Sequence, residues 1–569
     1  MRPLRSFLAV LLSGALGCSA SFEARMATVV TAIREADDRD FRVRPALEAE
    51  KLAAMTETPQ GYFRGAGPVW ARDWRAGIAK NPFPRCGAIT VPSLGDPHVE
   101  NFGTLEAADG TLRLEANDVD AADRAAPGWD ILRLATSLAF AARESAPDGE
   151  APATTEALAR ASVAALYTGY REALDGGEIA AVVPRSAVAG EDEVVAGTSA
   201  PWIDALFARA AKAKAAREEL ELYLETPVRF RRGPLPDDAT EKNVELPPGA
   251  RTAITEALAG AAWLSRPEAG PIPTVVDAVR LFGKGVASRA RVRLLVLLDG
   301  GADGRRIVEF KEIGDANLPF WVPPEERATD VGSRIRTAVS RAWSRPDATR
   351  YFATTRLYGF PMIVRTAAES ERGLRISKLT GAARSPEGFS AAARVLGQLV
   401  ARSHRSTGNR LPCATLDPAA LADEALFLAA LSHDDAARFR DATTQLGPTL
   451  GVPAEPLSAN ERARGDLAPL LQSPRKKTML PTFRCCSNSR VPWTTSPRPS
   501  NCPRNRRRAQ PPQSLLRRSP SCPMQKHSRR FVQHTPIIRA TVAPGFPALS
   551  SLAFAPGSRS AHPRTQKNT

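Results

Sequence analysis

The stretch that most constrains this chain is Leu94-Gly-Asp-Pro-His-Val-Glu-Asn-Phe-Gly103, read with Asn117-Asp-Val-Asp120 and Pro127-Gly-Trp-Asp130. It crowds acids and an amide between two apolar runs, Gly87-Ala-Ile-Thr-Val91 and Ile131 to Phe140. The first run reads as a buried strand and the second as a helix with an apolar face. Asp96, Asn101, Asp118 and Asp120 therefore project from strand ends and loops. Such positions can converge on a hard divalent cation, which takes oxygen ligands from carboxylates and carbonyls.

The spacing fits phosphoryl transfer. A kinase-like site needs an Asp to accept the proton of the attacking hydroxyl, an Asn shortly after it for Mg²⁺, and a further Asp beyond a short hairpin for the metal that bridges the phosphates. Asp96 precedes Asn101 by five residues, and Asp118 follows seventeen later. Between them Ala108-Asp-Gly110 is a turn signal, so a β-hairpin is expected. Taken singly, each of these residues is an ordinary turn or loop former. Gly-Asp-x-His-x-x-Asn followed by Asn-Asp-x-Asp is far more specific than any of its parts.

These motifs resemble the bacterial family known as domain of unknown function 2252, within the broad group of protein-kinase-like and aminoglycoside-phosphotransferase-like folds. The resemblance rests on Phe63-Arg64-Gly65, Asp73, Gly95-Asp96-x-His98-x-x-Asn101-Phe102-Gly103, Asn117-Asp118-x-Asp120 and Trp129-Asp130-x-x-Arg133-Leu134, and continues weakly to about Gly408. It implies an α+β, kinase-like fold that binds Mg²⁺ and ATP. Asp96 would be the catalytic-loop aspartate, Asn101 and Asp118 metal ligands, and Asp130 a buried brace for the catalytic loop. Ala121 stands where the family has an acid, a departure that bears on Asp120, the third candidate ligand.

A second region suits the same chemistry. Val275 to Phe282 leads into Gly283-Lys-Gly-Val-Ala-Ser288, then the alternating run Arg291 to Leu298, a Gly/Asp turn, and Arg306 to Ile313. Strand, glycine loop, strand, turn, strand is how kinase-like small lobes cover phosphates with a loop and neutralise them with a strand lysine. Gly283, Gly285 and Lys311 are the candidate nucleotide contacts. An ordinary β-hairpin with an exposed lysine is the alternative for this region alone. Ser288 takes the third glycine position, and the helix expected over Thr329–Trp343 has no interior Glu to pair with Lys311. Both departures leave open a degenerate, non-catalytic kinase relative. The catalytic-loop motif also precedes the glycine loop, so a kinase-like fold here would be circularly permuted, which nearby domain termini permit.

Elsewhere the chain is mostly helical in pattern. Helical spacing is expected over Phe22–Met55, Thr154–Leu174, Pro201–Leu224, Arg251–Leu264, Phe389–His404 and 419–447, and a strand over Tyr358–Arg365. The chain thus divides into 26–270 with the catalytic and metal motifs, 271–370 with the β segment, and 371–450 with closing helices. Arg64 is expected to contact a phosphate or to pair with an acid such as Asp96. Cys86 reads as a small buried hydrophobe, and His404 as a helix-end histidine.

The net charge of +16 belongs to the end of the chain: residues 471–569 hold 19 Lys and Arg and no acid, which leaves the rest at −3. That distribution argues against nucleic acid as the partner of the body. The tail has the composition of a disordered segment or of GC-rich DNA translated out of frame, and its Cys485, Cys486, Cys502 and Cys522 lack zinc spacing. At the other end, Met1-Arg-Pro-Leu-Arg5, an apolar run from Ser6 to Gly17 and Ala15-Leu-Gly-Cys18 read as an export signal over 1–25 with a lipoprotein-type site at Cys18. The expected location is the cell envelope, with membrane contact only through that lipid; without a used signal the protein would be cytoplasmic. The expected partners are a nucleotide and an acceptor, small molecule or protein, that no readable motif names. An exported pseudokinase or binding protein without catalysis is the alternative function.

Overall fold

In the computed structural model of the chain, proline marks where most helices begin. Pro45, Pro59, Pro127, Pro152, Pro201, Pro386 and Pro418 each open one, at the position where the missing N–H has no intrahelical partner to lose. The structure describes residues 23–446 apart from 108–109, 177–184, 187–199, 217–221, 237–240, 266–272, 300–304, 317, 321, 323–326, 347–350, 368–370 and 406–410. Cys18, the leader and the basic tail lie outside the described residues.

The larger core is helical. Helices Pro127–Glu144, Pro152–Leu174, Pro201–Ala216, Pro386–Arg405 and Pro418–Leu446 pack around Leu132, Leu138, Phe140, Leu166, Trp202, Leu396 and Leu428. Two glycines set the closest helix pair. A Cβ on Gly169 would lie 2.0 Å from the Arg394 carbonyl oxygen, and one on Gly397 would lie 2.1 Å from that of Leu166. No side chain fits there, so the Pro152–Leu174 and Pro386–Arg405 backbones come close enough to touch.

The second core surrounds an antiparallel sheet of eight strands. Their spatial order is Ala262–Ser265, Phe352–Leu357, Phe360–Thr366, Arg305–Glu312, Arg293–Asp299, Thr274–Phe282, Lys242–Glu245 and Gly233–Pro234. Alternation decides its faces. Leu294, Val296 and Leu298 meet Ile254 and Leu258 of helix Ala250–Ala259 on one side. Leu295 and Leu297 meet Tyr223 and Phe230 on the other. With one antiparallel sheet and separate helices, the chain is an α+β protein. The sheet runs in sequence from Gly233 to Thr366, so it starts ahead of residue 271.

Several elements differ from the sequence pattern. The helix expected over Pro201–Leu224 is present over Pro201–Ala216, residues 217–221 lie outside the described residues, and Leu224 itself opens a short strand paired with Arg229–Phe230. The helix expected over Arg251–Leu264 ends at Ala259; after Gly260 the apolar run Ala262–Ser265 becomes the sheet's edge strand. Residues 419–446 belong to one helix, Pro418–Leu446, and the amino-terminal stretch forms three: 23–36, Asp38–Val43 and Pro45–Glu57. Cys86 is not a free hydrophobe but half of a disulfide with Cys413. Among the described residues no helix is long and apolar enough to cross a membrane.

Candidate functional site

Helix Pro127–Glu144 is buried almost throughout, yet carries polar side chains at 130, 133 and 137. Spaced by three and four, they fall on one face, and that face holds the Ser93–Asn101 loop. The Asp130 carboxylate, fully buried, accepts from the Ser93 hydroxyl (2.6 Å) and the Leu94 and Gly95 N–H groups (2.8 and 3.3 Å). Arg133 donates to Asp96 Oδ1 (2.8 Å) and to the Phe63 carbonyl (2.8 Å). The Ser137 hydroxyl accepts from Val99 N–H (3.0 Å). Trp129 Nε1 donates to the Gly95 carbonyl (2.6 Å). Gly95 has φ of +80°, and a Cβ there would lie 1.9 Å from the Ala121 carbonyl oxygen, so glycine is required.

His404 is more than a helix-end residue. It is fully buried, with Nδ1 2.9 Å from the Tyr170 hydroxyl and Nε2 3.2 Å from Asp130 Oδ2. Tyr170, His404 and Asp130 thus form a chain of polar contacts inside the helical core, which rigidifies when every member is satisfied.

The hairpin expected after Asn101 is present as Phe102–Glu106 and Thr111–Ala116, while Asp109 lies outside the described residues. Asn117 N–H donates to the Asn101 carbonyl (3.0 Å), which closes the hairpin and sets Asp118 and Asp120 beside the loop. Asn101 Nδ2 donates to the Asp96 carbonyl (2.9 Å), so its amide oxygen faces away from that bond. Lys311, 3 % exposed, comes from the sheet. Its Nζ lies 2.9 and 3.0 Å from the two Asp118 oxygens and 3.1 Å from Asp120 Oδ2. Burial pushes the Asp120 carboxyl up, but Lys311 and Arg291 outweigh it and hold the group well below the usual carboxylate range. Arg334 donates to the backbone carbonyls of Asp120 (2.9 Å), Ala122 and Gly314 (2.8 Å), which fixes this loop against the sheet.

Gly283 and Gly285 both have positive φ, +86° and +80°. Arg289 folds the turn by donating to their carbonyls (2.8 and 3.0 Å). Ser288, at the third glycine position, accepts from Arg293 Nη2 (3.2 Å), and Arg293 is also paired with Glu309. Arg64 pairs with Glu100 (3.0 Å) rather than Asp96, which belongs to Arg133.

Asp96, Asn101, Asp118, Asp120, Arg64 and Gly285 line one cleft. Lys311 reaches it through its acid partners, and Asp130 stands behind the wall. Three basic groups that sequence reasoning did not single out also line the cleft: Lys51, Arg291 and Arg293. Lys51 is buried with Asp37 and Glu48, and burial in that acidic group pushes the Glu48 carboxyl up to about 8. Arg133 was visible in the Trp129-Asp130-x-x-Arg133 motif, one helical turn beyond Asp130, although its partner Asp96 was not. Lys51 carried no local signal.

The oxygen ligands suit a hard cation. Asp118 and Asp120 already surround one positive charge, the Lys311 ammonium, and the free oxygen of Asn101 adds a neutral donor. An α+β protein with a cleft of opposed acids and cations is the class these features define. The chain belongs to the family described as an uncharacterized protein conserved in bacteria (DUF2252), whose profile matches residues 42–446. No curated protein and no solved structure matches it.

Proposed function

We propose that this chain is a Mg²⁺-ATP-dependent phosphotransferase with a circularly permuted kinase-like arrangement. The carrying observation is Lys311, a buried sheet lysine held by Asp118 and Asp120 in the cleft that Asp96 and Asn101 also line. Asn101, Asp118 and Asp120 would hold the metal, and Lys311 with the Gly283 and Gly285 turn would take the nucleotide phosphates. When bound, Mg²⁺-ATP supplies the transferable phosphoryl group with its charge neutralised. Asp96, oriented by Arg133, would accept the proton of the acceptor hydroxyl as its oxygen bonds to the γ-phosphorus and the bond from that phosphorus to the departing ADP breaks. The Asp130 brace keeps the loop from reorganising while charge moves. Nucleic acid has no part in this reading.

A second reading has an observation of its own. The Cys86–Cys413 disulfide suits an oxidising compartment and so supports export to the cell envelope, with Cys18 as a lipid anchor. ATP is scarce there, and Lys311 has the acid partners Asp118 and Asp120 while the Val331–Ala342 helix carries no Glu. Together these favour a pseudokinase or binding protein that holds a ligand without turnover.

Thermal unfolding of the full chain with and without Mg²⁺-ATP separates these readings from a purely structural cluster. Ligand at about 100 times its dissociation constant raises stability by roughly 2.7 kcal/mol. The expected result is a Mg²⁺-dependent rise that Asp118→Ala removes. A folded protein with no rise would sink the nucleotide site, whereas binding without phosphate turnover would favour the second reading.

A further inference from the structure

Behind Arg64 and His98 of the cleft wall stand guanidinium groups that the donor side of the proposed reaction does not need. Residues 372–376 run along strand Phe102–Glu106: Thr104 N–H donates to the Arg372 carbonyl (2.8 Å) and Leu374 N–H to that of Phe102 (2.9 Å). This sets Arg375 beside the Val99–Asn101 turn, with Nη1 3.7 Å from Glu100 Oε2. The same Glu100 oxygen takes Arg64. Helix Pro201–Ala216 adds Arg209, whose Nη2 donates to the Gly373 carbonyl (3.3 Å), while Trp202 Nε1 fixes the Arg375 carbonyl (3.2 Å).

Two guanidiniums, Arg64 and Arg375, thus share the Glu100 carboxylate, and Arg209 and Arg372 bring further positive charge beside Arg375. Mutual repulsion is felt: burial, then Arg375 and Arg372, hold Arg209 below its ordinary value. Burial, then Arg64, Arg133 and Arg375, hold His98 well below its own, so this imidazole stays neutral and does not add to the charge. The Nε atoms of Arg64 and Arg209 are buried without a hydrogen-bond acceptor among the described residues. Buried donors are seldom left unpaired in a native state, and guanidinium forks match the oxygens of phosphates and carboxylates.

We propose that Arg64, Arg209 and Arg375 form the acceptor subsite, and that the acceptor carries an oxyanion, a phosphate or a carboxylate, near the hydroxyl that is phosphorylated. This deepens the phosphotransferase reading and rests on it for the word acceptor. The same charge rejects polycationic acceptors.

The test is calorimetric titration of the full chain with inorganic phosphate and, separately, with succinate, alongside Mg²⁺-ATP. The variants are Arg375→Gln, Arg209→Ala with Arg375→Ala, and Asp118→Ala. Arg375 is 53 % exposed on its side chain, so its single variant keeps the fold even if the double variant does not. At least one oxyanion should bind the wild type and Asp118→Ala alike. Arg375→Gln should weaken it about tenfold, the scale of one charge-assisted hydrogen bond, while Mg²⁺-ATP binding stays unchanged. Which probe binds tells phosphate from carboxylate. The proposal is overturned if the folded wild type binds Mg²⁺-ATP but neither oxyanion, or if oxyanion binding survives both arginine variants. Arginine-dependent oxyanion binding with no Mg²⁺-ATP binding would support the anion site and overturn the phosphotransferase reading instead.

Discussion

The two loops that face the cleft are held in different ways. The Ser93–Asn101 loop is gripped from behind by a helix of the main core through Asp130, Arg133 and Ser137, with His404 and Tyr170 behind those. The Gly283–Ser288 turn is held by Arg289 and Arg293 of its own β-ribbon. One half of the site is braced by the main helical core; the other is folded by bonds a few residues away and touches the rest of the protein through Lys284 on the Tyr223 hydroxyl (3.2 Å) and Val286 on the amino-terminal helices. A proton acceptor needs a fixed position. A loop that must admit and release a bulky polyanion needs to open without unfolding anything else.

Asp130→Ala should break this contrast most severely. It strands the Ser93 hydroxyl and two backbone N–H groups in the core and takes a partner from His404. The expected loss is about 3–5 kcal/mol by urea unfolding. A loss under about 1 kcal/mol would mean the brace is not structural. Next in size is Cys86→Ser with Cys413→Ser, which unties the same braced half and should cost roughly 2–4 kcal/mol. A reductant should lower the melting temperature of the wild type but not of this variant. Arg289→Ala should be the mildest, below about 1 kcal/mol, because its side chain is half-buried and its two bonds are local. Its effect should appear in Mg²⁺-ATP affinity instead; equal losses of stability at Arg289 and Asp130 would erase the distinction.

The site loops were legible in the sequence because their chemistry is local. Asp96 and Asn101 are five residues apart, and the strand, turn and strand around Gly283 and Lys311 form one continuous ribbon. What the sequence concealed is non-local. Lys311 finds Asp118 across 193 positions, and Cys86 finds Cys413 across 327; pairing at such distance leaves no spacing rule to read. The Ala262–Ser265 strand was hidden for a different reason. A short apolar run after a helix has no period of its own, and only its partner Phe352–Leu357 makes it a strand. Arg64 does pair with an acid, but which one was not readable: Asp96 and Glu100 both lie within reach of one loop, and Arg133 arrives from the helix to take the first.

The disulfide also sets an order of events during synthesis. Asp96, Asp118, Lys311 and His404 all lie between its two sulfurs in the chain. Domains can begin to fold from their amino-terminal side as they emerge, but this ring cannot close until Cys413 has left the ribosome and, if the chain is exported, the translocation channel as well. The Cys86 sulfur therefore waits for its native partner through most of the polypeptide's passage, within reach of any earlier oxidant. Maturation of the braced half is a late covalent step that a chain truncated before residue 413 could never take.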